Sequence, residues 1–177
     1  SSFALCYKKV NGMQTTALTE SQVTAIKDVN GNVYVARGIS RTMLENGAVA
    51  SGLRYDEVLY MDQIAADLQA AALTLLADNP DKLPQTDDTS ALFINRFSGI
   101  LSGYTARKIL ATGTWRSAPT GSLETGDILE GGFALWADSY DDQSDADRAA
   151  HKAMPIHIAL CLAGSVETLR IDVDVSV

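Results

Sequence analysis

From Asp62 to Asp78, apolar residues recur every three or four positions at Ile64, Leu68, Ala71, Ala72, Leu75 and Leu76. That spacing puts them on one stripe of an amphipathic helix. Pro80 and Pro84 bound the pattern. Thr86 then opens a second helix, with Asp87 and Asp88 near the positive end of its dipole and Leu92, Phe93, Phe97, Ile100 and Leu101 expected to face inward. Earlier, Thr19 to Gln22 has the Thr-x-x-Gln form of a capping box and predicts a short helix from Glu20 to Asp28. Asn30-Gly31 ends it, and a strand from Asn32 to Ala36 follows in β-branched and aromatic residues. Residues 38–52 carry a weak pattern, read as irregular strands or an extended loop.

The C-terminal part alternates with period two. Ile156, Ile158, Leu160 and Leu162 interleave with His157, Ala159, Cys161 and Ala163; Gly164-Ser165 turns the chain; then Leu169, Ile171, Val173, Val175 and Val177 interleave with Thr168, Arg170, Asp172, Asp174 and Ser176. This predicts a terminal β-hairpin whose second strand has one apolar and one polar face. A short strand is expected at Phe133 to Ala137. The stretch 112–132, with six glycines and prolines, reads as a long surface loop or hairpin insertion. Helices mixed with antiparallel strands give an α+β class: a mixed, largely antiparallel sheet with two main amphipathic helices on one face.

Composition narrows the functional classes. The chain of 177 residues, 46% hydrophobic, is long enough to build one full core domain without disulfides or metal. Against 22 acidic side chains stand 14 basic ones, a net charge of −8 with no basic patch, so neither nucleic acid nor an anionic membrane is an expected partner. The most apolar stretch, Ala70 to Ala77, is far short of the ~20 residues a spanning helix requires. Cys6 and Cys161 read as two buried free thiols in a reducing compartment. The start at Ser1, with neither an initiator methionine nor a signal-peptide pattern, reads as a piece of something longer.

Candidate chemistry is sparse. Phosphate loops, nucleophile elbows and paired helical histidines are not found in the sequence. His157 and Cys161 share a strand parity, but four residues of strand separate them by roughly 13 Å, against the ~3 Å a nucleophile and base require. The acidic run Asp138, Asp141, Asp142, Asp145 and Asp147 fails as an EF-hand, because Ala146 and Lys152 stand where glycine and glutamate are needed. Ser144 to Asp147 instead caps a short helix expected over 145–152. Asp56 and Glu57, adjacent, do not converge on one substrate atom. The expectation is no enzyme, no cofactor and no metal.

Taken in order, several segments resemble the contractile tail sheath proteins of bacteriophages, and more narrowly the C-terminal half of a divergent sheath family. They are Lys8 to Gly12 with Thr16 and Leu18, the capping box, Asn30 to Val35, the Asp56 to Leu76 approach and helix, Leu83 to Asp87, Arg148 with Pro155, and Ile158 to Val175 with Ala163-Gly164. The resemblance implies a structural virion protein that forms stacked rings or a helical sheath around a tail tube and contracts to drive the tube into the host envelope. It further implies tube and baseplate partners, assembly in the host bacterial cytoplasm, and strand exchange between subunits. The expected interface is the final strand: Leu169, Arg170, Ile171, Asp172, Val173, Asp174, Val175 and Val177. It pairs either within its own subunit or with a neighbour. Another tail component, such as a tube, terminator or baseplate protein, is the alternative, followed by an enzyme with an unrecognised site.

Overall fold

The computed structural model describes residues 3–38 and 41–171. They fold as α1 (Glu20–Asp28), β1 (Val33–Arg37), β2 (Arg41–Glu45), α2 (Tyr55–Asp78), α3 (Asp87–Ala106), β3 (Gly113–Thr114), β4 (Ile128–Leu129), β5 (Phe133–Ala137), α4 (Asp145–Ala149) and β6 (Ile156–Leu160). The class is α+β. Where the sequence suggests one full core domain, the described residues form two compact units, one over 60–163 and one combining 3–38 and 41–59 with 164–171.

In the unit that combines 3–38 and 41–59 with 164–171, α1 begins as expected. The Thr19 hydroxyl accepts from the Gln22 amide at 3.4 Å, and the Gln22 side chain accepts from the Thr19 amide at 2.9 Å. These bonds satisfy amides that have no partner inside the helix. Val23, on the inner face of α1, packs with Val33 and Val35 of β1. The pattern after Gly38 proves to be strand as well: β2 pairs antiparallel with β1, Val33 opposite Glu45 and Arg37 opposite Arg41.

In the unit over 60–163, α2 and α3 pack on one face of the β5–β6 hairpin. Tyr60 and Ile64 of α2 and Leu101 and Tyr104 of α3 form one cluster, with Leu135, Ile158 and Leu160 against it. Ala71, Phe93 and Phe97 form a second, with Leu135, Ile156 and Ile158 against that. The other face of the hairpin is covered by the insertion at 112–132, where Leu123 and Leu129 pack with Ala134, Trp136 and Ala159. Gly132 permits the close approach: its φ is +83°, and a Cβ there would lie 2.6 Å from the Ala111 backbone.

Four expectations change. The first long helix starts at Tyr55 rather than Asp62, because Tyr60 continues the Ile64, Leu68, Ala71 stripe one turn earlier. Leu92, expected inward, is exposed. It lies one residue from Phe93, about 100° round the helix and off the stripe that meets the sheet. The helix expected over 145–152 ends at Ala149. Finally, the strands form three separate two-stranded ladders among the described residues, and β6 pairs with β5, Phe133 opposite Leu160 and Ala137 opposite Ile156. The described part of the expected second strand, Thr168 to Ile171, carries no strand. The apolar run Phe133 to Ala137 supplies the partner that β6 requires. Asp172, Val173, Asp174, Val175 and Val177 lie outside the described residues.

Replacing a side chain in this core leaves a cavity, whereas replacing one on the outer face of the same helices removes little. Leu101→Ala, at a position with 0% exposure, is expected to cost about 3 kcal/mol. Leu73→Ala, at 66% exposure, should cost less than about 0.5 kcal/mol. Urea denaturation of both variants measures the contrast.

Candidate assembly surface

The sequence places the interface in the final strand, and its described residues begin from a well-built platform. At the end of β2, Glu45 is buried, and its carboxylate accepts from Arg37 Nε at 2.6 Å and Lys27 Nζ at 2.5 Å. Arg37 also pairs with Glu20, so one carboxylate ties α1 to the β1–β2 ladder. The Arg37 bond, with help from Lys27, holds the Glu45 carboxyl down at about 2. This network bears charge on residues that sequence reading left unassigned. Their only signal is a glutamate at the buried end of a strand.

Beside Glu45, Arg54 donates to the Asn46 carbonyl at 2.5 Å. The segment 164–171 meets the unit here. Arg54 forms an ion pair with Glu167, the Tyr7 hydroxyl donates to the Glu167 carbonyl at 2.5 Å, and the Ser165 hydroxyl donates to the Asp56 carboxylate at 3.1 Å. Between segment and unit lies an open cleft of about 380 Å³, lined by Cys6, Tyr7, Lys27, Asn46, Arg54 and Thr168 among others. The apolar side chains of the segment are not taken in: Val166 is 87% exposed, Leu169 77% and Ile171 73%.

The remaining candidates are held apart or engaged structurally. His157 stacks on Trp136 with ring centres 5.4 Å apart and lies 3.9 Å from Asp138. The Cys161 sulfur packs where a Cβ on Gly113 would come within 2.3 Å. The two side chains thus have different neighbours. Both cysteines are free thiols, Cys6 buried and Cys161 half-buried. In the acidic run, the Ser144 hydroxyl accepts from the Asp147 amide at 3.2 Å, and Asp147 pairs with Lys152 at 2.6 Å. The Lys152 ammonium, with the Ser144 hydroxyl, holds the Asp147 carboxyl below its ordinary range. Asp87, in the first turn of α3, accepts from the Tyr140 amide and the Ser139 hydroxyl, which lowers it likewise. Asp56 sits in the first turn of α2, buried. Among the described residues, no group of three or more histidine, cysteine or acidic side chains is arranged to hold a metal, and no helix is long and apolar enough to cross a membrane.

A family model described as the E217 tail sheath protein gp31-like C-terminal domain matches residues 55–175, well over half of the chain. The chain belongs to this family. The match opens at the first residue of α2 and takes in the segment 164–171. Membership makes this chain a structural domain of the phage tail type, in keeping with its resemblance to contractile sheath proteins. No curated protein sequence matches it. Among solved structures, a chain of the anti-feeding prophage baseplate, 6-fold symmetrised, has a TM-score of 0.71 at 12% identity over 99% of this chain. A chain of the anti-feeding prophage helical sheath in its contracted state has a TM-score of 0.59 at 10% identity over 98%. These likenesses are of fold. The sheath-family domain spans 45% of the length of each of those chains.

The Glu45 network sets a pH dependence. Its folded carboxyl lies below the ordinary 4.5, at about 2. The stabilisation is therefore fully present above about pH 4.5 and is lost as pH falls from there towards 2. Glu45→Gln removes the Glu45 share of that dependence and should leave a shallower loss of stability through the window, the remainder coming from Asp87 and Asp147, with a loss of up to about 3 kcal/mol at neutral pH. Urea midpoints followed against pH for both proteins read the difference directly.

Proposed function

We propose that this chain is the core-forming part of a tail sheath subunit that self-associates in stacked rings or a helical lattice around a tail tube and changes lattice on contraction. The observation that carries the reading is the family match over 55–175. The geometry supports it from the physical side. Val166, Leu169 and Ile171 stand almost fully exposed on a segment that forms no strand in its own chain. Such a row is an aggregation hazard unless another chain covers it. Strand addition by a neighbouring copy covers it and supplies main-chain hydrogen bonds, each contributing roughly 0.5 to 1.5 kcal/mol. The β5–β6 ladder is a suitable acceptor, since each of its strands has one named partner among the described residues. In this reading the interface comprises Leu169, Arg170, Ile171 and the sequence positions Asp172, Val173, Asp174, Val175 and Val177. The partners are further copies of the chain with tube and baseplate proteins, the location is the virion tail after assembly in the host cytoplasm, and nucleic acid, membrane and catalysis play no part.

A second reading, a component of the baseplate rather than the sheath, draws on the higher TM-score of the baseplate neighbour, 0.71 against 0.59. The position of the subunit in a density map of the assembled tail separates the two.

Electron microscopy of the concentrated full chain tests self-association. Rings or tubes are expected from the unmodified chain, and monomers from Leu169→Asp with Ile171→Asp. Persistent monomers of the unmodified chain under all conditions, or tubes from the double variant indistinguishable from the parent, overturn the reading.

A further inference from the structure

The contacts that hold the segment 164–171 are unlike those of the core. Ser165 and Glu167 make polar contacts with the unit: the Ser165 hydroxyl with Asp56, the Glu167 carboxylate with the Arg54 guanidinium, and the Glu167 carbonyl with the Tyr7 hydroxyl. Val166, between them, faces away at 87% exposure, and beyond them Leu169 and Ile171 remain exposed. Attachment thus buries little of the apolar surface that holds most protein segments in place.

On the receiving side, the Arg54 contact is the one that can be lost at little cost. Arg54 keeps the Asn46 carbonyl as a partner, and it borders the open cleft of about 380 Å³, so water solvates it when Glu167 departs. Lys27 is engaged with Glu45 and does not depend on the segment. Departure of Glu167 therefore does not strand the Arg54 charge, the condition that makes the breaking of an ion pair costly, whereas the buried Asp56 carboxylate loses the Ser165 hydroxyl, so the Ser165 contact is the half of the attachment that resists release. Apolar groups outward, polar groups inward and a partner that tolerates release describe a segment held reversibly.

We propose that Ser165 and Glu167, with Arg54, Tyr7 and Asp56, form a polar clasp that holds the terminal segment on its own chain before assembly, and that the clasp opens as the segment is handed to a neighbouring copy. This rests on the self-association proposed above. The occupant of the freed segment is a second copy of this chain. The clasp limits the rate at which free chains polymerise, because the segment is available only in the fraction of molecules that are open.

Thiol trapping tests this, since Cys6 and Thr168 line the same cleft. In a Cys161→Ser background, Thr168→Cys is expected to form a disulfide with Cys6 in the dilute monomer under mild oxidation. The oxidised protein should stay monomeric at concentrations where its reduced form polymerises. Adding Glu167→Gln should slow trapping about three- to tenfold, the range expected for a partly buried ion pair, and should shorten the lag of polymerisation in the reduced chain. Restoring the pair in reversed sense, with Arg54→Glu and Glu167→Arg, should bring both readouts back towards the parent. Failure of the disulfide to form, an oxidised form that polymerises as readily as the reduced one, or a Glu167→Gln chain unchanged in both readouts overturns the clasp. Efficient, Glu167-dependent trapping in a chain that never polymerises overturns instead the self-association reading and the gating role built on it.

Discussion

A two-stranded ladder cannot bury its own faces, and the architecture over 60–163 follows from that constraint. Isolated hairpins are marginal in water, so β5 and β6 persist because something apolar lies on each side. On one face, α2 and α3 bring Ile64, Phe93, Phe97 and Leu101. On the other, the 112–132 insertion brings Leu123 and Leu129. Burying a side chain of this size contributes roughly 1.5 to 3 kcal/mol, and the helices supply most of them. Covering the faces does nothing for the edges. Among the described residues each of these strands has one strand partner, and the proposed strand addition would use the edge that this leaves.

What was legible in the sequence is what local chemistry determines. The capping box at Thr19 and Gln22 places the start of α1 to the residue, because both partners in the bonds lie within one turn. The stripe Ile64 to Leu76 identifies α2, since its spacing belongs to one helix. Strand partnership is a different kind of information. Alternation shows that Ile156 to Leu160 is a strand without saying what lies beside it, and the nearer alternating run at 168–177 was the natural choice. The observed partner, Phe133 to Ala137, is shorter and precedes it by a loop containing Tyr140, whose buried ring folds that loop back. Register across such a loop depends on tertiary contacts that no local pattern contains.

The candidate surface was legible to a similar degree. The alternation made Leu169 and Ile171 visible as apolar positions, and both are exposed. The residues that hold their segment were not. Arg54, Tyr7 and Asp56 lie more than a hundred positions upstream of Ser165 and Glu167, and nothing in their local sequence distinguishes them from other surface groups. The acidic surplus was equally opaque. The carboxylates of Asp87, Asp147, Glu45 and Asp56 turn out to be acceptors for a backbone amide, hydroxyls and cations in the fold, which gives part of the net charge a structural task before any role in solubility.

The choice of polar rather than apolar contacts for the terminal segment has a thermodynamic consequence. A segment docked by Leu169 and Ile171 into its own core would gain several kcal/mol, and a neighbour would have to exceed that gain before exchange became favourable. In the proposed exchange, holding it through Glu167 and Ser165 keeps the apolar gain in reserve for the assembled state. Free chains then start higher in free energy, with Leu169 and Ile171 still exposed, and each proposed exchange moves downhill by the burial that the isolated chain forgoes. A lattice built as proposed would draw its stability from surface that the isolated chain leaves exposed.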